Sequence, residues 1–230
     1  MSYTTDLIKN VSLAGHGGTG KTTLLERLLF AGGVIAKAET MESGKMVGDS
    51  SPEEIERKIS IYAALAHVEW KGKKINIFDT PGSSDFNGDV ILSFRSSEFA
   101  LLLIDARAGV QIETVKLWRN LEERSKPRGI YVSKMDDERA NFNKVLEDVK
   151  ERFRIDPVPV VLPMGAGAAY KGLIDVLNEK AYFVQADGIE KEGEIPIEYN
   201  DAVEEARARL IEAAAEGDDS LMEQYINQGS

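Results

Sequence analysis

The octapeptide Gly15-His16-Gly17-Gly18-Thr19-Gly20-Lys21-Thr22 constrains this chain more than any other stretch. It fits G-x-x-x-x-G-K-[ST], a loop that cradles phosphate groups. Its glycines allow left-handed backbone turns, so that successive N–H groups converge on phosphate oxygens. Lys21 supplies a mobile cation for the outer phosphates, and the Thr22 hydroxyl is placed for Mg²⁺, with Thr23 next in the chain. A helix starting near Lys21 adds its positive end. The run Ile8 to Ala14 before the loop is strand-like, and Leu24, Leu25, Leu28 and Leu29 after it repeat at helical spacing. Strand, glycine loop and helix is the order the motif requires.

Two further motifs follow, each at a strand end. Asp79-Thr80-Pro81-Gly82 closes the strand Lys74 to Phe78. An acid there is the usual second contact for Mg²⁺, and Gly82 exposes a backbone N–H to a γ-phosphate. Loss of that phosphate releases the contact and frees the following helix to move. Ser133-Lys134-Met135-Asp136 ends the strand Gly129 to Val132 and resembles the [NT]-K-x-D element of guanine-nucleotide proteins. Guanine presents N1–H and N2–H₂ side by side, and the Asp136 carboxylate accepts both; adenine offers no such pair and leaves a buried carboxylate unpaired. The Lys134 stem lies along the base face, and the Ser133 hydroxyl ties the base loop to the phosphate loop. Between the first two motifs, Glu39 to Ile61 is polar, charged and too long for a simple connection, so it reads as a mobile functional loop. Ser60 sits where a hydroxyl closes over Mg²⁺ and the γ-phosphate.

Residues 1 to about 155 alternate strand-like and helix-like segments, which predicts an α/β core: a mostly parallel sheet with helices on both faces. Ile59 to Trp70 reads as one strand, turned by Lys71-Gly72-Lys73 into Lys74 to Phe78, giving one antiparallel hairpin. Phe99 to Asp105 reads as a buried central strand. Ile112, Val115, Trp118 and Leu121 mark one helix, and Phe142, Val145, Leu146, Val149 and Phe153 the next. From residue 156 the texture changes. Pro157, Pro159 and Pro163 interrupt a β-like stretch, and Gly165 to Gly172 reads as a loop. Short strands are expected at Ala181 to Val184 and Ile195 to Ile197, then an acidic helix from Asp201 to Ala215, stopped by Gly217. Residues 156–230 are therefore expected to be a small inserted α+β subdomain.

Composition limits the chemistry. The 230 residues hold no cysteine and two histidines, which excludes disulfides, thiolate sites and a histidine zinc site. The net charge of −11 argues against a broad basic face for nucleic acid. The longest apolar run is too short to cross a membrane, and the N-terminus lacks a signal-peptide pattern. A cytoplasmic protein is expected.

With these residues in hand the chain resembles the GTP-binding domain of translation elongation factor G, and more narrowly the elongation factor G-like subgroup. Gly15-His16 opens the loop as in the family's GHxDxGKT. Glu56-Arg57-Lys58-Ile59-Ser60-Ile61 stands where the family has ERGITI, and DTPGSSDF over Asp79 to Phe86 stands for DTPGHVDF. Leu162-Pro163-Met164-Gly165 and Lys171-Gly172-Leu173-Ile174-Asp175 resemble the start of the subdomain inserted in that factor's GTPase domain. The resemblance implies a P-loop GTPase fold, GTP and GDP as ligands with Mg²⁺, hydrolysis of GTP, and the ribosome as partner, the stalk included. It implies no membrane, no sequence-specific nucleic-acid binding and a monomer. By resemblance Lys21 and Gly82 serve catalysis together with the residue at Ser83, and Thr22, Ser60 and Asp79 organise the metal.

The departures carry expectations of their own. Gly18 replaces the loop Asp, and the resemblance leaves open whether the family's monovalent-cation site is kept. Ser83 replaces the His that orients the attacking water, so hydrolysis is expected to be slow or to be activated by another route. Two other readings stand beside the GTPase: a guanine-nucleotide switch that binds ribosome or stalk without useful turnover, and an unrelated P-loop ATPase. A fifth element of the guanine pocket, which follows the insert in the family, does not occur before Gln228-Gly229-Ser230. The chain is therefore expected to be a piece of a longer protein, lacking the last core strand and helix.

Overall fold

A computed structural model describes residues 3–185 and 190–216 and divides the chain into two compact units, residues 1–134 and 135–230. The expected boundary lay at residue 155; the structure groups the helix Phe142–Phe153 with the second unit.

The first unit is a five-stranded sheet with helices. In chain order it holds β1 (Ile8–Gly15), α1 (Lys21–Ala31), α2 (Pro52–Arg57), β2 (Ala64–Trp70), β3 (Lys73–Asp79), α3 (Asn87–Ser96), β4 (Phe99–Asp105), α4 (Ile112–Glu123) and β5 (Arg128–Ser133). The sheet order is β2-β3-β1-β4-β5. All neighbours are parallel except the β2–β3 hairpin. Consecutive strand residues face opposite sides, and β1 uses this to seat helices on both. Leu13 packs in a core with Leu25 and Leu29 of α1, Val68, Ile77 and Leu103. Its neighbour Ser12 donates to the Ser93 carbonyl of α3 at 2.9 Å and lies 2.7 Å from the Ser97 hydroxyl. α1 and α3 therefore cover opposite faces. β4 is buried along most of its length, as the apolar run predicts. The fold is the P-loop GTPase fold expected.

Two local expectations need correction. Residues Ile59 to Ala63 are not strand; β2 begins only at Ala64. The cause is Glu54, whose Oε1 accepts the N–H groups of Ile61 (2.9 Å) and Tyr62 (3.1 Å) and takes them out of any ladder. Residues 39–61 also contain more than a loop. Ser51 caps α2 through a reciprocal box with Glu54, with Pro52 in the first turn.

The second unit holds α5 (Phe142–Phe153), the strands β6 (Val161–Met164), β7 (Gly172–Asp175), β8 (Lys180–Val184) and β9 (Glu190–Gly193), and α6 (Asn200–Ala215). The strands form an antiparallel meander in chain order. Met164, Ile174 and Ala181 meet Val203 of α6 in its core, and Arg209 of α6 pairs with Asp156 at 2.7 Å. Ile195–Ile197 is not a strand: Ile197 opens a 3-10 turn, and the strand lies earlier, at β9. The expected stop at Gly217 lies outside the described residues. No helix among the described residues is long and apolar enough to cross a membrane.

Leu29→Ala should cost about 2–5 kcal/mol of stability in urea denaturation, because Leu29 is fully buried in the α1 core. Leu92→Ala, on the exposed side of α3, should change it by less than about 0.5 kcal/mol.

Candidate functional site

The parallel strands of the first unit deliver their last residues to one edge of the sheet. Leu13 pairs with Asp79, Gly15 with Leu103, and Asp105 with Ser133. The phosphate loop leaves β1 at that edge. Gly20 (φ 90°) opens α1 with no side chain capping its first N–H groups, which stay available to an anion. Thr19 closes the loop on itself by donating from its hydroxyl to the His16 carbonyl at 2.9 Å. Lys21 is buried, and its Nζ donates to the carbonyls of Gly15 (3.0 Å) and His16 (3.1 Å). Burial lowers its pKa to about 8, against the pull of Asp79 and Asp49. Gly17, Gly18 and Thr23 are exposed at the mouth of the loop.

β3 brings the second motif beside the first. Thr80 locks it there, its hydroxyl donating to the Leu13 carbonyl at 2.8 Å. Pro81 is buried, and Gly82 passes so close to the phosphate loop that an added Cβ would lie 2.6 Å from Gly17 Cα and N, and 2.7 Å from Lys21 Nζ. No side chain fits at that position. Ser83 accepts the Asp85 N–H at 3.4 Å and caps a short 3-10 turn. A cleft of about 300 Å³ opens beside it, lined in part by Gly82, Asn87, Glu113, Lys116 and Asn120.

The Thr22 and Ser60 hydroxyls meet at 3.1 Å. Asp79 is buried with neither oxygen in a hydrogen bond, and burial raises its pKa to about 7 despite the nearby Thr22 hydroxyl and Lys21. A fourth group was not anticipated. Asp49 is also buried with both oxygens unpaired, and burial raises its pKa too. It arrives through Gly48, where an added Cβ would lie 2.6 Å from Thr22 Cγ2 and 2.9 Å from Asp79 Oδ2. Two hydroxyls with two orphaned carboxylates form an all-oxygen donor set suited to a hard divalent ion. Among the described residues no cluster of three or more acidic or histidine side chains encloses a metal alone, so further oxygens, such as phosphate or water, have to complete the shell. His16 Nδ1 is likewise buried and unpaired.

Ser133 and Lys134 reach the same loop. The Ser133 hydroxyl donates to the Thr19 carbonyl at 2.8 Å, and Lys134 Nζ to the Gly18 carbonyl at 2.6 Å. Lys134 also pairs with Asp105 at 3.0 Å. Burial alone would raise the Asp105 pKa, but Lys134 and the N–H groups of Arg107 and Ala108 outweigh it and hold it low. Met135 and Asp136 open the second unit. Met135 is buried and accepts the Gly167 N–H at 2.8 Å, while Asp136 lies exposed in a turn.

A family model described as the elongation factor Tu GTP binding domain matches residues 6–227. The chain is 40% identical over 220 residues to an elongation factor G-like protein of Thermotoga maritima, covering 96% of this chain and 31% of that protein. It is 39% identical over 230 residues to elongation factor G of Mycoplasma pneumoniae, covering 98% of this chain and 33% of that one. A crystal structure of a Thermus thermophilus protein superposes with a TM-score of 0.89 at 33% identity, over 96% of this chain and 33% of its own. The chain thus spans about a third of the length of these relatives.

The Asp79 carboxyl has a stability consequence with a definite sign. Between its usual value of 3.8 and the folded value of about 7, the folded state holds more protons, so stability falls as pH rises through that window. Above it the penalty is on the order of 2–4 kcal/mol. Asp79→Asn should therefore be more stable than wild type to urea at pH 8 without divalent cation, the difference shrinking toward pH 4. Equal stability at pH 8 would count against it.

Proposed function

The chain belongs to the elongation factor Tu GTP-binding-domain family, and from that premise we propose that it binds magnesium-bound GTP at the edge formed by residues 15–22, 79–83 and 133–134 and hydrolyses it in ribosome-linked work. The observation that supports this most is the meeting of Thr22 and Ser60 at 3.1 Å beside the unpaired carboxylates of Asp79 and Asp49. Mg²⁺, when bound, supplies positive charge against the phosphate oxygens. Thr22, Ser60, Asp79 and Asp49 are the groups that hold it. Lys21 exchanges its carbonyl partners for phosphate oxygens, and that anion keeps its ammonium charged. Gly82 offers its N–H to the γ-phosphate with no side chain in the way. Ser133 and Lys134 brace the loop, and Asp136, by its place in the motif, reads the guanine edge.

Water attacks the γ-phosphorus, the bond to the bridging oxygen breaks, and GDP and phosphate result; most of the barrier is lowered by positioning and charge. Ser83 carries no imidazole, and its hydroxyl is engaged with Asp85, so turnover is slow. That same observation favours a second reading, a guanine-nucleotide switch on the ribosome or its stalk with little hydrolysis. The cytoplasm is the compartment that fits either. We propose the ribosome, its stalk included, as partner of a monomeric protein.

The turnover rate with and without ribosomes tests the choice. Ser83→His should raise single-turnover hydrolysis about 100-fold or more if water orientation limits it, and the cleft beside Ser83 gives an imidazole room. No gain on ribosomes would favour the switch. Asp136→Asn should weaken GTP about 10- to 100-fold in competition with ATP, the worth of hydrogen bonds to a charged acceptor. Unchanged preference would contradict the guanine assignment.

A further inference from the structure

The segment that carries Asp49 and Ser60 buries Met46 and is pinned at both ends by carboxyl groups. Glu26, on the second turn of α1, is 1% exposed. Its Oε1 accepts the Glu39 N–H at 3.2 Å and its Oε2 the Val47 N–H at 3.0 Å. One side chain therefore closes the stretch from residue 39 to 47. The next residues are Gly48, packed against Thr22 and Asp79, and the buried Asp49. Glu54 performs the corresponding task at the far end. It accepts the N–H of Ser51 at 3.1 Å and those of Ile61 and Tyr62, and Ser60 immediately precedes that pair. Asp89 of α3 adds the Ala63 N–H at 2.9 Å.

Backbone N–H groups withdrawn from water require partners. A glutamate with both oxygens committed fixes two points of the backbone at once. Glu26 lies one helical turn past Thr22, so the residue that gives the cation a hydroxyl and the residue that grips Val47 share one rigid rod. The separation of Asp49 from Thr22 is thereby set through α1. The Glu26 carboxyl bonds neither Asp49, the Thr22 hydroxyl nor Ser60, so its action on the donor set is indirect.

We propose that Glu26 is the positioning residue that fixes residues 39–49 over the Thr22–Ser60–Asp79 donor set and thereby sets the site's affinity for its divalent cation. The proposal rests on the reading of that site as a magnesium–guanine-nucleotide site. Gln at this position keeps the size but has one acceptor oxygen, and its amide group confronts an N–H with another N–H. Asp keeps the charge but not the reach.

The test is Mg²⁺ titration of fluorescent GDP binding to wild type, Glu26→Gln and Glu26→Asp, with amide hydrogen exchange of wild type at Glu39 and Val47. Both variants should need about tenfold more Mg²⁺ for half-saturation, the usual effect of losing a group that orients ligands. GDP affinity in EDTA should stay within twofold, and the Val47 amide should be protected in wild type. A lowered melting temperature with unchanged Mg²⁺ half-saturation would overturn the proposal and leave Glu26 a structural residue. An unprotected Val47 amide in wild type would overturn it even if neither variant folds. Wild type that takes up no guanine nucleotide would instead sink the reading of the site, and Val47 exchange would still decide the clamp.

Discussion

Parallel pairing of β1 with β3 on one side and β4 on the other is the constraint from which the site follows. It makes β3, β1, β4 and β5 run the same way, so that Asp79, Gly15, Asp105 and Ser133 all stand at carboxyl ends. In sheets of this kind, ligands bind where those ends converge. The helices on both faces exist to bury the strands that make this pairing, and Ser12 and Leu13 show the division within two residues. Without that pairing the loop, the acid and the lysine would have no common edge.

The convergence is costly. A lysine and two carboxylates are buried within reach of one another's charge, yet Lys21 bonds only carbonyls and the acids have only a nearby hydroxyl each, Thr22 for Asp79 and Ser60 for Asp49. Burial shifts all three toward their neutral forms, and mutual attraction only partly offsets it. A core built for stability alone would use apolar residues here. Gly48 and Gly82 make the crowding feasible, since a methyl group at either would collide with the loop, the lysine or the acid.

Where local pattern and burial agree, the sequence was readable. β4 and α5 lie where continuous and periodic apolar residues put them, and Ser133, Lys134, Thr22 and Asp79 stand at the predicted edge. Failures came where distant polar groups decide. Ile59 to Ala63 has strand-like residues, but Glu54 and Asp89 claim its N–H groups. α2 is too short for apolar periodicity, although Ser51-Pro52-Glu53-Glu54 carries a capping signature that could have revealed it. β9 reads Glu-Lys-Glu-Gly and is a strand only because β8 pairs with it. Asp49 and Glu26 had no signal at all, since a buried carboxyl in a charged sequence looks like a solvated one until its partners are seen.

The relatives show the family, while the chemistry depends on whether this edge takes up nucleotide. Calorimetry of the intact protein with GDP, GTP and ATP, each with Mg²⁺, measures that directly. One site per chain is expected, filled by either guanine nucleotide and not by ATP, with heat that disappears in Lys21→Ala. No heat with the guanine nucleotides, or equal uptake of ATP, would contradict that.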